Sequence, residues 1–433
     1  MTTIRDLARR RPVQHAPGVR SSRRSPVLVV LALLGLVLLL GGCASDAPLD
    51  TLEPKGPEAR LIDNLSNWVF AAAAVVFVVV EVGIVYLLVR FRSRGDDDDD
   101  ELPEQTHGVL KLELGWTIVP TMILGVVAVG TMVTLFDLAD RPEDALEVSV
   151  TGQQWWWEFG YDVDGDGEAD FVTPNEMVVP ADVPVNVDIT SRDVIHSFWI
   201  PSLNGKMDAV PGRNSPLTLQ ADDPGSYWGQ CTEYCGLSHA NMRMRVIALA
   251  PDDYDEWLDN QMLQADGSAL TGVAAEGRDL FTSQCSTCHL IDGVNDEDTV
   301  RASAEALSEE TGEPVDEETL AFNDGTALTV SGSAPDLTHM MTRSTFAGSL
   351  FRMYDGSDAA DIADRYLDLP QDGVFNRQAM EAWLQNPPAE KPMDAEAPPT
   401  RDTPEDELPR GMPDYNLSAE QIDQLIAFLR TLD

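Results

Sequence analysis

Three apolar runs dominate the first third of the chain, and they differ in length and in what flanks them. Val27–Leu40 follows Arg5, Arg9, Arg10, Arg11, Arg20, Arg23 and Arg24, and Gly41-Gly42-Cys43 comes directly after it. A basic stretch, a short apolar stretch and small residues at its end predict an export signal over residues 1–42. The run is short for a full bilayer span, although an uncleaved anchor is the alternative. Trp68–Val89 is apolar except for Glu81, and Trp116–Leu138 is apolar except for Asp137. Each is long enough for a spanning helix, and each starts with a Trp, whose amphipathic ring favours the membrane interface. Arg90, Arg92 and Arg94 lie between the two runs, so the short loop is expected on the cytoplasmic side and everything after about Asp140 outside.

The pattern then changes twice. From Leu146 to Ala250, short β-rich runs such as Val148–Val150, Val183–Ile189 and Met244–Leu249 alternate with Pro and Gly. Strands at this spacing predict a sandwich or small barrel. Beyond it, Ala275–Gln284 predicts a short helix. Ser418 with Gln421 predicts a capping box, followed by a helix whose apolar face is Ile422, Leu425, Ile426 and Leu429.

At 433 residues the chain should hold two or three folded units. Acidic side chains outnumber basic ones 73 to 29, a net charge of -44, which argues against nucleic acid as a partner. Removing residues 1–42 would make the charge -50. From Asp252 onward there are 39 acidic and 10 basic side chains, so the last third would attract a basic partner or be a solvated, salt-adapted surface. The hydrophobic fraction of 43% is sufficient to build cores.

Only five Cys and six His are available for chemistry. Cys231, Cys235, His239 and Met242 fall within twelve residues. Two thiolates, an imidazole and a thioether select copper, since zinc sites seldom recruit Met. A strand alternates its side chains and cannot aim all four at one centre, whereas a wrapping loop can. A Cys231–Cys235 disulfide is the alternative, but it leaves His239, Met242 and the upstream His196 without a role. Cys285-Ser-Thr-Cys288-His289 is the attachment pattern of a c-type haem. The second iron ligand should be Met or His; Met412 precedes the last helix, and Met393 is the alternative. Asp162, Asp164 and Asp166 resemble the start of a calcium loop, but position 12 is Thr173 rather than Glu, so an acidic hairpin tip is the plainer reading. Glu81 in mid-span implies a protein surface in the membrane, or else a Glu with no role.

These residues carry a resemblance. Residues 61–250 are similar to subunit II of cytochrome c oxidase in Thr106-His107-Gly108, Leu112-Glu113 through Trp116, Gln154-Trp-Trp-Trp157, the His196 segment, Lys206–Arg213 and Gly229–Met242. With the haem motif appended, the chain resembles the caa-type branch of that family. The resemblance implies a membrane-anchored, multidomain fold: a two-helix transmembrane hairpin, an all-β cupredoxin Greek-key barrel and an all-α class I cytochrome c domain. It implies a binuclear CuA centre with Cys231 and Cys235 bridging, His196 and His239 capping, and Met242 and the Glu233 carbonyl as weak axial ligands. It implies electron input through Trp155, a proton-path entrance at Glu113, a magnesium ion on the Glu233 side chain, and lipidation of Cys43. Ala334–His339 resembles a segment that packs on the haem, which makes His339 a packing residue. The implied partners are oxidase subunits I and III, the bacterial cell membrane, and a donor that is either cytochrome c or a quinol–cytochrome c oxidoreductase.

The expected organisation is a signal at 1–42, a hairpin region at 43–140 with spans near 68–89 and 116–138, a copper domain at 141–252, and a cytochrome domain at 265–433. An acidic insertion occupies about 292–333, where Asp296–Thr311 predicts a surface helix. With the Cys assigned to lipid, copper and haem, and His15 in the signal, only His107 and His339 remain. That is too few to ligate an oxygen-reducing haem–copper centre, which is expected on subunit I. Two alternatives remain: a CuA subunit of a nitric-oxide or nitrous-oxide reductase, and a copper-binding lipoprotein without a catalytic partner.

Overall fold

The computed structural model describes residues 35, 47–92, 108–265, 270–286, 288–296, 308, 334–357, 362–395 and 410–433. The chain divides into two units, Met1–Ala47 and Pro48–Asp433, and the second holds both long apolar helices, the β-rich region and a mainly helical region. The expected export signal apart from Gly35, Cys43, the Arg94 end of the loop expected on the cytoplasmic side, His107, and nearly all of the acidic insertion with its expected helix lie outside the described residues.

Two helices carry the apolar runs. Helix α1 (Pro57–Arg90) has Pro in its first turn, where a missing N–H costs nothing, and reaches further upstream than its apolar stretch. Helix α2 (Leu110–Leu138) packs beside it, with Leu65 Cδ1 of α1 about 3.3 Å from where a side chain on Gly130 would begin. Both pass the length and hydropathy test for membrane spans, and neither span is buried within this chain. The first turn of α1 is fastened to the β-rich region: Lys55 N–H donates to Ser202 O at 2.7 Å and Ala59 N–H to Leu203 O at 3.1 Å. Arg60 pairs with Asp222.

The β-rich region is two sheets facing each other. One has the order β3 (Phe171–Pro174), β2 (Trp156–Tyr161), β1 (Leu146–Gln153), β5 (Val185–Ser191), β8 (Ser215–Leu219). The other has β4 (Glu176–Pro180), β10 (Arg243–Leu249), β9 (Gly225–Gln230), and a short pair joins β6 (His196–Phe198) to β7 (Met207–Ala209). β1 runs antiparallel to β2, with Val150 opposite Phe159, and parallel to β5, with Val150 opposite Ile189. Alternation along β1 sends Val148 and Val150 inward against Trp157, Val187 and Val246, while Glu147 faces out. This is a small barrel of the kind expected from the strand spacing, in the cupredoxin form that the resemblance implies.

Helix α3 (Pro251–Gln261) closes the barrel with Tyr254 and Trp257, the latter edge-on to Tyr161 at 5.4 Å. The mainly helical region follows: α4 (Val273–Gln284), α5 (Arg377–Gln385) and α6 (Ala419–Leu429), and it is not all-α as expected, since Thr345–Phe346 pairs antiparallel with Phe351–Arg352. The capping box is present, and the predicted apolar face of α6 is buried together with Phe428. Helices α4 and α6 cross at Gly277, where a Cβ would lie 2.0 Å from Gln424 O, so only glycine permits the approach. Phe281 and Phe428 fill the crossing with ring centres 5.5 Å apart.

Candidate metal centre and haem cavity

The loop between β9 and β10 carries five of the predicted donors, Cys231, the Glu233 carbonyl, Cys235, His239 and Met242, and β6 carries the sixth, His196. Cys231 N–H donates to Met242 O at 2.9 Å, closing the loop, and Thr232 N–H donates to Ser197 O at 3.0 Å, which ties it to the His196 strand. Cys231 Sγ and Cys235 Sγ are 3.8 Å apart. That separation is far beyond the roughly 2.05 Å of a disulfide, so the disulfide alternative does not fit. It is less than two metal–thiolate bonds of about 2.3 Å each, so one ion could bond both sulfurs. His196 Nδ1 lies 3.9 Å from Cys231 Sγ, and His239 Nδ1 lies 3.6 Å from Cys235 Sγ. Met242 Sδ is 3.8 Å from Cys235 Sγ, and Glu233 O is 3.2 Å from Cys231 Sγ. His196, Cys231 and Cys235 also form a group whose ligand atoms all lie within 4.8 Å of one another. The donor set suits copper in number, softness and spacing.

The electrostatics favour thiolate at Cys231 and oppose it at Cys235. The hydrogen bond from the Cys235 thiol holds the pKa of Cys231 well below the usual thiol range, with His196 adding to the effect against desolvation, while the same hydrogen bond and burial push the Cys235 thiol up. Burial opposes protonation of His196, but Asp193 and Cys231 outweigh it and raise its pKa. Asp193 Oδ1 sits 2.8 Å from His196 Nε2 and so fixes the ring, leaving Nδ1 aimed at the sulfur. Asp193 Oδ2 accepts from Gln154 N–H at 2.8 Å.

Trp155 is 3% exposed, and its indole N–H donates to Cys235 O at 3.1 Å. Gln154 Nε2 donates to the same carbonyl at 2.6 Å. Gly236 makes this possible. Its φ is +118°, and a Cβ there would lie 3.0 to 3.3 Å from Gln154 Nε2 and the Trp155 ring.

The other side of Trp155 lines a cavity with about 1330 Å³ of empty space, mouth included. Cys285, Cys288, His289, Met393 and Met412 line the same cavity. His289 Nδ1 hydrogen-bonds to Pro335 O at 2.7 Å, which keeps the proton on Nδ1 and the lone pair on Nε2. Two thiols outside any disulfide, an imidazole of fixed tautomer and two thioethers around an apolar space fit a covalently held haem. Arg343 and Lys391 also line it and match the acidic side chains of such a group. Burial lowers the pKa of both, Lys391 to about 7.

The remaining predicted residues fall elsewhere. The Glu233 side chain is exposed and accepts from Tyr234 N–H at 3.2 Å. Glu81 and Glu113 are exposed on α1 and α2. In the acidic hairpin, Asp162, Asp164 and Asp170 bring oxygens together, so Asp170 takes the place expected for Asp166. Thr173 is turned inward, donating to Glu176 O at 2.7 Å. His339 is buried with Nε2 2.8 Å from Leu263 O, as a packing residue would be. Sequence reasoning missed Asp193, Gln154, Arg343 and Lys391. Asp193 was detectable, as a carboxylate three residues before an expected ligand.

A membrane hairpin bearing a copper-type barrel and a c-type haem region defines a membrane-anchored electron-transfer protein. Three family models match in order: the cytochrome c oxidase subunit II transmembrane domain at 52–133, its periplasmic domain at 166–249, and cytochrome c at 274–433. Subunit 2 of cytochrome c oxidase from Alkalihalophilus pseudofirmus is 35% identical over 270 residues, spanning 61% of this chain and 77% of that protein. The corresponding subunit of Bacillus sp. strain PS3 is 34% identical, spanning 65% and 81%. The periplasmic domain of subunit II from Bradyrhizobium japonicum is 31% identical, covers 28% of this chain and 95% of its own, and has a TM-score of 0.26. The chain belongs to the cytochrome c oxidase subunit 2 family, in its caa-type form with a fused cytochrome c. It is therefore a subunit of a membrane-bound oxidoreductase with its copper and haem regions outside, which sets aside the copper-lipoprotein and nitrogen-oxide reductase alternatives.

Proposed function

We propose that this chain accepts electrons at a haem c held by Cys285, Cys288 and His289 and passes them through a binuclear copper site to haem a and the oxygen-reducing centre of subunit I, coupled to proton translocation. Cys231, Cys235, His196, His239, Met242 and the Glu233 carbonyl would hold the copper. When bound, the haem and the copper would each take up and release one electron.

Trp155 carries this reading: it lines the haem cavity and donates a hydrogen bond to the Cys235 carbonyl. Asp193 orients His196, and largely apolar side chains wall the haem cavity. Met412 is the second iron ligand, with Met393 the alternative. The Glu233 side chain holds magnesium against subunit I, Glu113 marks a proton-path entrance, and Cys43 carries lipid. The donor is a cytochrome c or a quinol–cytochrome c oxidoreductase, and subunit III completes the assembly. The organisation proposed is a signal at 1–42, hairpin region at 43–140, copper domain at 141–252 and cytochrome domain at 265–433. The test is an absorption spectrum of the purified complex. Near-infrared CuA absorption with both c-type and a-type haem is expected, and the absence of any one overturns the reading.

A further inference from the structure

Two charged side chains stand in otherwise apolar strands of the copper barrel, and neither serves the copper site. Glu176 opens β4 and Arg245 lies opposite it on β10. They are 1% and 0% exposed. Burying charges is costly unless every polar atom finds a partner, and here the partners belong to the cytochrome region. Glu176 Oε2 accepts from Ser344 N–H at 3.0 Å and from the Tyr366 hydroxyl at 2.7 Å. Its Oε1 accepts from Ser344 Oγ at 2.6 Å and from the Thr345 hydroxyl. Arg245 donates to Ser344 Oγ at 2.8 Å and to Ser357 O at 2.8 Å. Its other nitrogens reach Ser226 Oγ, and its guanidinium lies over Trp228, 4.5 Å from the ring centre. Ser344 thus relays between the two charges, giving its proton to Glu176 and accepting from Arg245. A second fastening lies beside the copper loop, where Lys391 Nζ donates to Trp155 O at 2.7 Å and the Ser238 hydroxyl donates to Pro392 O.

We propose that the Glu176–Arg245 pair locks the cytochrome region onto the barrel as a fixed cap, so that Trp155 is sealed from external electron carriers and the two redox sites keep one separation. The structure gives no support to the alternative, a cytochrome swinging on its linker. A mobile contact would be wet and rim-like, whereas this one buries two charges whose hydrogen-bond partners lie largely on the opposite region. If the cap left, Glu176 would lose all four of those hydrogen bonds and Arg245 the two to Ser344 and Ser357, keeping those to Ser226. Glu176 is a positioning residue: it touches neither metal site and acts through Ser344 and Tyr366. The step it serves moves one electron, which leaves the reduced haem and arrives on the oxidised copper pair, with no bond made or broken.

This inference rests on the proposed haem and copper sites, and the experiment separates the two. In the full oxidase complex, the haem and copper spectra report on the sites, whereas the viscosity dependence of internal electron transfer after flash reduction of the haem reports on the cap. Wild type is expected to show both spectra and a rate unchanged as glycerol raises the viscosity tenfold. Glu176→Ala should keep both spectra but acquire a rate that falls with viscosity. Amide exchange in the segment around Ser344 and Thr345 should rise at least tenfold. Should Glu176→Ala lose either spectrum, Glu176→Gln, which keeps the shape and loses the charge, is judged by the same criteria. A viscosity-dependent wild-type rate overturns the fixed cap. A variant with unchanged exchange and a viscosity-independent rate overturns the role of Glu176.

Discussion

Asp193→Asn tests the copper geometry without touching a ligand. In the structure Asp193 Oδ1 lies 2.8 Å from His196 Nε2, and Oδ2 accepts from Gln154 N–H at 2.8 Å. The carboxylate is nearly enclosed, with 4% of its side chain exposed. Asparagine keeps the size and can still accept one of these bonds, but its amide removes the negative charge that faces His196. An outer carboxylate of this kind is worth about 10- to 100-fold in metal affinity. That corresponds to about 1.4 to 2.7 kcal/mol. Burial places the effect toward the upper half, because little solvent screens the lost charge. The assay is a competitive copper titration followed at the near-infrared CuA band, with thermal unfolding as a control for the barrel. A shift of the apparent affinity by less than about twofold would refute the argument that Asp193 fixes the His196 ring.

Three further outcomes are expected. Gly277→Ala puts a methyl group 2.0 Å from Gln424 O where α4 crosses α6, so it should destabilise the cytochrome region by about 1 to 3 kcal/mol, read by guanidinium unfolding at the haem Soret band. Met412→Ala should abolish the low-spin Met–haem signature while Met393→Ala preserves it; the reverse result moves the ligand to Met393, which lines the same cavity. Chelating copper from the purified complex should lower the melting temperature of the barrel, since a ligand held at 100 times its dissociation constant contributes about 2.7 kcal/mol, and calorimetry before and after chelation measures it.

The pattern along the chain carried the architecture because each element announces itself locally. Apolar length predicted α1 and α2, short β-rich runs between Pro and Gly predicted strands such as β1, and Ser418 with Gln421 marked the start of α6. The ligand sets were legible for the same reason. Cys231 through Met242 and Cys285 through His289 are short-range motifs whose chemistry needs those atoms close in sequence, and the structure brings the copper donors within bonding reach of shared ions. The one distant donor, His196, was reachable only through a family resemblance.

What the chain could not declare locally is how the two redox regions meet. Trp155 could be named as an electron conduit, but its 3% exposure comes from segments as distant as Lys391 closing over it. Nothing in the local sequence singled out Glu176 and Arg245, whose partners across the regions lie some hundred or more residues away around Ser344 and Tyr366. Sequence alone proposed most of the atoms that could hold copper and haem, because such motifs depend on residue type and short spacing. Only the tertiary structure decided which buried charges would be satisfied, and therefore where the cytochrome docks, because such pairing depends on side chains that folding brings together from remote parts of the chain.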